Sequence, residues 1–153
     1  MARITQEKKN ENFEIYSSMI RRIFFEEGFR AITYARLGKE LNVRQSTLQG
    51  YFPSVNDFLK VLKGHLLPVL IKNLCFKSEE SFVKSWDASF KHKEFRHSIA
   101  LILSTANSES PAEFNTQGIR NFDTLLQTHF GDIHRDLLEK VLGRSFLILS
   151  DYQ

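Results

Sequence analysis

Residues 28–59 read GFRAITYARLGKELNVRQSTLQGYFPSVNDFL, and the spacing of their apolar side chains decides the fold. Thr33 stands where an N-cap would open a short helix through Leu41, with Leu37 and Leu41 on one face. Asn42 and Val43 make a turn. A further short helix follows over 45–52, with Leu48 and Phe52 inward, and Pro53 ends it. Leu37, Leu41, Val43 and Leu48 then lock two short helices across a tight turn. Gln45, Ser46, Thr47, Gln49 and Gly50 are left facing away from that core. This is the pattern of a helix-turn-helix whose last helix offers short polar groups to base edges and phosphates in a DNA major groove. A glutamine can pair with adenine through two hydrogen bonds, and a hydroxyl can donate or accept. An ordinary helical hairpin with a polar outer face has the same spacing, so spacing alone leaves both readings open.

Helical periodicity extends in both directions. Upstream, Ile15, Met19 and Ile23 with Tyr16, Ile20 and Phe24 form a wide apolar stripe, and Gly28 stops that helix. Downstream, Ser54 followed by Asp57 resembles a capping box for a helix carrying Val55, Phe58, Leu59, Leu62 and Leu66. Gly64 and Pro68 break or kink it, and apolar residues resume at Val69, Leu70 and Leu74. Ser78 with Glu79 and Glu80 starts a helix that turns Phe82, Trp86 and Phe90 inward, and Phe95, Ile99, Ile102, Leu103 and Ala106 stripe the next. Ser110-Pro111-Ala112-Glu113 is the strongest helix start in the chain, leading to Ile119, Phe122, Leu125, Leu126 and Phe130, with Gly131 as the stop. A last helix covers 133–149. No alternating strand pattern and no internal repeat is visible, so the chain reads as an all-α protein of about eight helices. The expected division is a three-helix head over 1–53 and a helical body over 54–153.

Composition limits what such a protein does. The chain has 153 residues, 42% apolar and 25% charged, which suits one ordinary domain or two small units sharing a core. A net charge of +3 is too small to prove a nucleic-acid partner and excludes a strongly charged disordered tail. Residues 1–64 hold 11 basic and 7 acidic side chains, net +4, whereas 65–153 hold 10 and 11, net −1. The positive excess lies wholly in the part with the helix-turn-helix, as a DNA-binding head on a near-neutral body would show. One cysteine, Cys75, excludes an intrachain disulfide framework and fits a reducing, cytoplasmic compartment. The longest apolar run, from Leu66 to Ile71, is too short to span a bilayer, and the polar N-terminus is no secretory signal.

The head resembles the tetracycline-repressor-like (TetR) transcriptional regulators. Ile23-Phe24-Phe25-Glu26-Glu27-Gly28-Phe29 matches LF-x-E-x-G-[YF], the family's end to its first helix. Thr33-Tyr34-x-x-Leu37-Gly38 matches T-x-x-x-I-A, and Val43-x-x-Ser46-Thr47-Leu48 matches V-S-x-[GS]-T-L-Y. Tyr51-Phe52-Pro53-Ser54-x-x-Asp57-Phe58-Leu59 matches [HY]-F-x-[SN]-K-E-[DE]-L-[LF]. Several motifs in order, at the correct spacing over 15–62, make the match specific.

The resemblance implies a homodimeric repressor of a palindromic operator in double-stranded DNA, released by a small apolar effector. By position, Thr33 and Tyr34 would touch phosphates at a helix N-terminus. Arg44 would supply a cation, Gln45, Ser46 and Thr47 would enter the groove, and Tyr51 would contact a phosphate. Arg3, Lys8 and Lys9 would reach the backbone from a flexible arm, or else stay solvated. Gln49 stands where the family usually has tyrosine, Gly50 where a larger or basic residue is common, and Val55 where lysine is usual. Each missing cation lowers the salt slope of binding by about one. These departures keep a second reading open: a TetR-like DNA-associated or protein-interaction factor without operator-specific regulation.

The body matches the family at no particular residue. Trp86, Phe90, Ile102, Leu103 and Phe122, with Phe82, Ile99 and Phe114, are candidates to line an effector cavity, or simply fill the core. Asn107, Gln117 and His97 could orient a ligand or lie on the surface. Residues 133, 137, 138, 141, 142 and 146–149 are apolar, more than one helix face, so the last helix should be covered on two sides, once by a symmetry mate. The last two helices are therefore the expected dimer interface. The family's body usually has one helix more, so a short variant and a lost C-terminal helix are both open. No catalytic, cofactor or metal constellation is expected. The histidines His65, His92, His97, His129 and His134 form no pair at helical ligand spacing, Cys75 reads as an inert core thiol, and Glu26-Glu27 and Glu79-Glu80 read as helix-end charges.

Overall fold

The structure, a computed structural model, describes residues 3–106 and 112–151, and of residues 112–116 the backbone alone. All regular structure among the described residues is helical. The helices are α1 (Gln6–Glu27), α2 (Tyr34–Leu41), α3 (Gln45–Tyr51), α4 (Val55–Leu62), α5 (Leu66–Ile71), α6 (Glu79–Ser89), α7 (Lys93–Thr105), α8 (Ala112–Phe130) and α9 (His134–Ser150). Short 3-10 turns precede α2 and α9. No helix among the described residues is long and apolar enough to cross a membrane. The chain divides into two compact units, Met1–Leu62 and Lys63–Gln153. α4 belongs to the first of these units, where it packs on α1.

In the N-terminal unit, Thr5 caps α1, its Oγ1 accepting from the Lys8 N–H at 3.2 Å. Lys8 and Lys9 therefore lie in the first turns of a 22-residue helix rather than on a flexible arm, while Arg3 stands before its cap. α1 buries Tyr16, Ile20, Ile23 and Phe24, while Ile15, expected in the stripe, is exposed. Gly28 ends the helix at φ 94°, a region closed to most side chains, and its N–H returns to the Phe24 carbonyl. The Asp57 carboxylate accepts from the Ser54 N–H at 2.9 Å, the reciprocal half of the expected capping box.

The C-terminal unit is organised around Phe82, Trp86, Phe95, Ile99, Leu126, Leu138 and Val141. Gly64, at φ 83°, breaks the chain before α5. Pro68 does not break a helix: it sits in the first turn of α5, where its missing N–H forfeits no intrahelical bond. Ser78 caps α6 in a box closed by Ser81 rather than by a glutamate. Cys75 is half-buried in the α5–α6 loop and not in the core. The Ser81 hydroxyl and then the Lys77 backbone N–H hold its thiol below the usual range. Asn107, Ser110 and Pro111, with the side chains of Glu113 and Phe114, lie outside the described residues.

Candidate nucleic-acid interface and body cavity

The helix-turn-helix is held by three contacts. Leu37 and Leu48 are completely buried between α2, α3 and the rest of the unit. Asn42 takes the left-handed conformation, φ 54° and ψ 47°, that asparagine tolerates, and the Val43 N–H returns to the Gly38 carbonyl at 3.1 Å. A Cβ on Gly38 would stand 2.9 Å from the Val43 carbonyl oxygen, so the turn closes this tightly because residue 38 has no side chain. Arg36 ties α2 to the end of α1, donating to both Glu27 carboxylate oxygens (2.9 and 2.6 Å) and to Glu40 (2.9 Å). Glu27 first, and then Glu40, raise the already high proton affinity of this guanidinium. Glu40 was legible as the i+4 neighbour; Glu27, nine residues back, was not.

With Leu48 turned inward, α3 leaves Gln45, Ser46, Thr47, Gln49 and Gly50 exposed, and Arg44 is exposed at its N-cap. Nothing lies within 4 Å of the space a Cβ on Gly50 would fill. Thr33 caps α2, its Oγ1 accepting from the Arg36 N–H at 3.1 Å, which leaves the hydroxyl proton unspent. The two tyrosines differ in that respect. The Tyr34 hydroxyl donates to the Phe52 carbonyl at 2.5 Å, and burial pushes its pKa up. The Tyr51 hydroxyl instead accepts from Asn12 Nδ2 at 3.2 Å, and its ring stands edge-on to Tyr16. Tyr51 therefore keeps a donor and Tyr34 has spent its own. The part played by Asn12 gave no signal in the sequence, because a contact across 39 residues has no period. Lys9, Lys39 and Arg44 join no ion pair among the described residues, unlike Lys8, Arg21, Arg36 and Lys60.

The C-terminal unit holds a cavity of about 150 Å³ lined by α5, α6, α7, α8 and α9. Trp86, Ile102 and Phe122, three of the five expected liners, line it. Phe90 and Leu103 do not. Phe90 is buried edge-on to Phe95, and Leu103 packs at the margin of the core. Ile99 lines the cavity, while Phe82 is spent on Phe76, Trp86 and Phe130. The Trp86 indole N–H donates to Ser145 Oγ at 2.9 Å, so the ring is both satisfied and fixed. Gln117 lies on the lining with Asn121, whereas His97 does not. On α9, Leu137, Leu138 and Val141 are buried while Phe146 and Leu147 are 64% and 66% exposed.

The first unit thus carries a capped, tightly closed helix-turn-helix, and the second a helical body with an apolar cavity. The family model of the tetracycline repressor LuxT C-terminal domain matches residues 63–149, almost the whole of the second unit. The chain belongs to the tetracycline repressor family of transcriptional regulators, with a body of the LuxT type. No curated protein matches the chain significantly.

Proposed function

We propose that the chain is a homodimeric, sequence-specific DNA-binding regulator, a repressor released when a small-molecule effector occupies the body cavity. The observation that carries this is the exposure of Gln45, Ser46, Thr47 and Gln49 along α3 with Leu48 fully buried behind them. In the groove these amides and hydroxyls read base edges, while Arg44, Lys39 and Lys9 supply cations for the phosphates. Thr33 and Tyr51 donate to phosphate oxygens, and the first-turn N–H groups of α2 add the field of a helix N-terminus. With its hydroxyl held by Phe52, Tyr34 meets the phosphates through its backbone N–H in that first turn.

A second copy covers Phe146 and Leu147 on α9, with α8 as the other member of the interface. Two heads then address half-sites about 34–36 Å apart or a multiple of it. An effector with higher affinity for the state in which the heads no longer match both half-sites shifts the population off DNA.

Selection from random duplexes with the full chain tests the reading. A palindromic site with symmetric footprints supports it. Binding that is salt-sensitive and blind to sequence supports instead a DNA-associated or protein-interaction factor. The exposed Val55, where the family pattern the head resembles has lysine, and the exposed Ile4, Phe13 and Ile15 of the same unit favour that second reading.

A further inference from the structure

We propose that the body cavity takes a medium-chain carboxylic acid, its alkyl or aryl body inside and its carboxylate at the mouth against Lys63, Gln117 and Asn121. This rests on the effector reading above and gives the effector a chemical class. Three features of the lining carry it.

Size limits the ligand's body. A cavity of about 150 Å³ walled by Leu70, Trp86, Ile99, Ile102, Phe122 and Leu138 is comparable to engineered apolar cavities that stay dry and hold a benzene ring. The buried part is therefore a hydrocarbon of about six to eight carbons. Trp86 has no free donor to offer, since its N–H is held by Ser145, so nothing in that wall rewards a polar group on the body.

Charge selects the head. Among the described residues the lining includes Lys63 and no aspartate or glutamate. Lys63 joins no ion pair among the described residues, and it is exposed, so its ammonium stays hydrated until a ligand arrives. Gln117 Nε2 donates to Asn121 Oδ1 at 2.7 Å, which leaves the Asn121 amide N–H groups as donors on the same lining. A carboxylate only accepts hydrogen bonds, and a lysine beside an amide donor supplies what it needs. An amine head would meet Lys63 as a like charge, and an alcohol would forgo the charge-assisted bond.

The test uses the full chain, with the fluorescence of Trp86, its one tryptophan, and thermal shift as readouts. The probes are straight-chain carboxylates of four to twelve carbons, with octanol and octylamine. Affinity is expected to peak at about six to eight carbons, with octanoate bound about tenfold more tightly than octanol and octylamine not bound. Lys63→Gln should bind octanoate and octanol alike, and Ile102→Trp, which fills the cavity, should bind neither. Equal binding of octanoate and octanol by the unaltered chain overturns the inference. So does affinity that keeps rising beyond ten carbons, the mark of adsorption to a surface. A chain that binds its selected duplex yet ignores every acid loses this inference and keeps the regulator reading. A chain that binds octanoate as described and ignores DNA keeps the inference and loses the regulator.

Discussion

A methyl group added at Gly38 would press on the Val43 carbonyl, and the same methyl added at Gly50 would meet open space. Helix propensity favours alanine over glycine by about 1 kcal/mol at either position. At Gly50 nothing opposes that gain, so Gly50→Ala should raise the Tm by about 4 °C. If the bare backbone there serves close approach to DNA, the same variant binds its duplex more weakly. At Gly38 the crowding costs about 1–3 kcal/mol and outweighs the gain, so Gly38→Ala should melt lower, as calorimetry would read directly. The tyrosines divide in the same way. Tyr34→Phe removes the bond to the Phe52 carbonyl and should cost about 1 kcal/mol of stability with little change in DNA affinity. Tyr51→Phe removes the bond from Asn12 and should likewise cost about 1 kcal/mol of stability, but it should also weaken DNA binding about tenfold, the loss of one hydrogen bond to a charged acceptor. A titration in which the two variants behave alike would remove Tyr51 from the interface.

At the scale of the element, α4 depends on Asp57. The Ser54 backbone N–H, more than any other group, holds the Asp57 carboxyl below its usual range, with Lys60 helping and burial opposing. A carboxyl whose pKa is lower folded than unfolded contributes stability above the unfolded value and loses it as pH falls through the folded one. Asp57→Ala should therefore cost about 1 kcal/mol at pH 7, the usual worth of a cap. The difference from the unaltered chain should shrink below about pH 4, which urea titrations across that range would show. Capping of this kind is local, so Thr33, Ser54 and Ser78 were legible as helix starts from residue type and the next few positions. Thr5 is equally local, but the residues after it are polar and carry no apolar period, so it gives no signal. The tie between Arg36 and Glu27 and the closeness of Gly38 to Val43 were not legible, since each depends on where one helix lies on another.

For the whole molecule, two predictions separate assembly from recognition. Leu147→Glu places a charge on a residue that is 66% exposed, so each protomer should fold as before. If α9 joins two copies, the variant should run as a monomer in sedimentation and lose most of its affinity for a palindromic duplex. A variant that stays dimeric would move the interface elsewhere. Arg44→Gln should weaken binding to all sequences alike. It should lower the salt slope by about two per dimer, one for each protomer, as filter binding from low to moderate salt would measure.

The sequence by itself determined the helices, the order of the head's motifs, and the outward aspect of Gln45, Ser46, Thr47 and Gln49. All of these follow from a period of 3.6 residues and from short-range caps. Only the tertiary structure decided which large side chains wall a cavity and which are spent elsewhere. Trp86, Phe90, Ile102, Leu103 and Phe122 are equally apolar and equally periodic, and the choice among them depends on where five helices happen to leave a gap. It also decided which tyrosine keeps its proton, because a donor's freedom is set by the partner that packing brings to it across the fold.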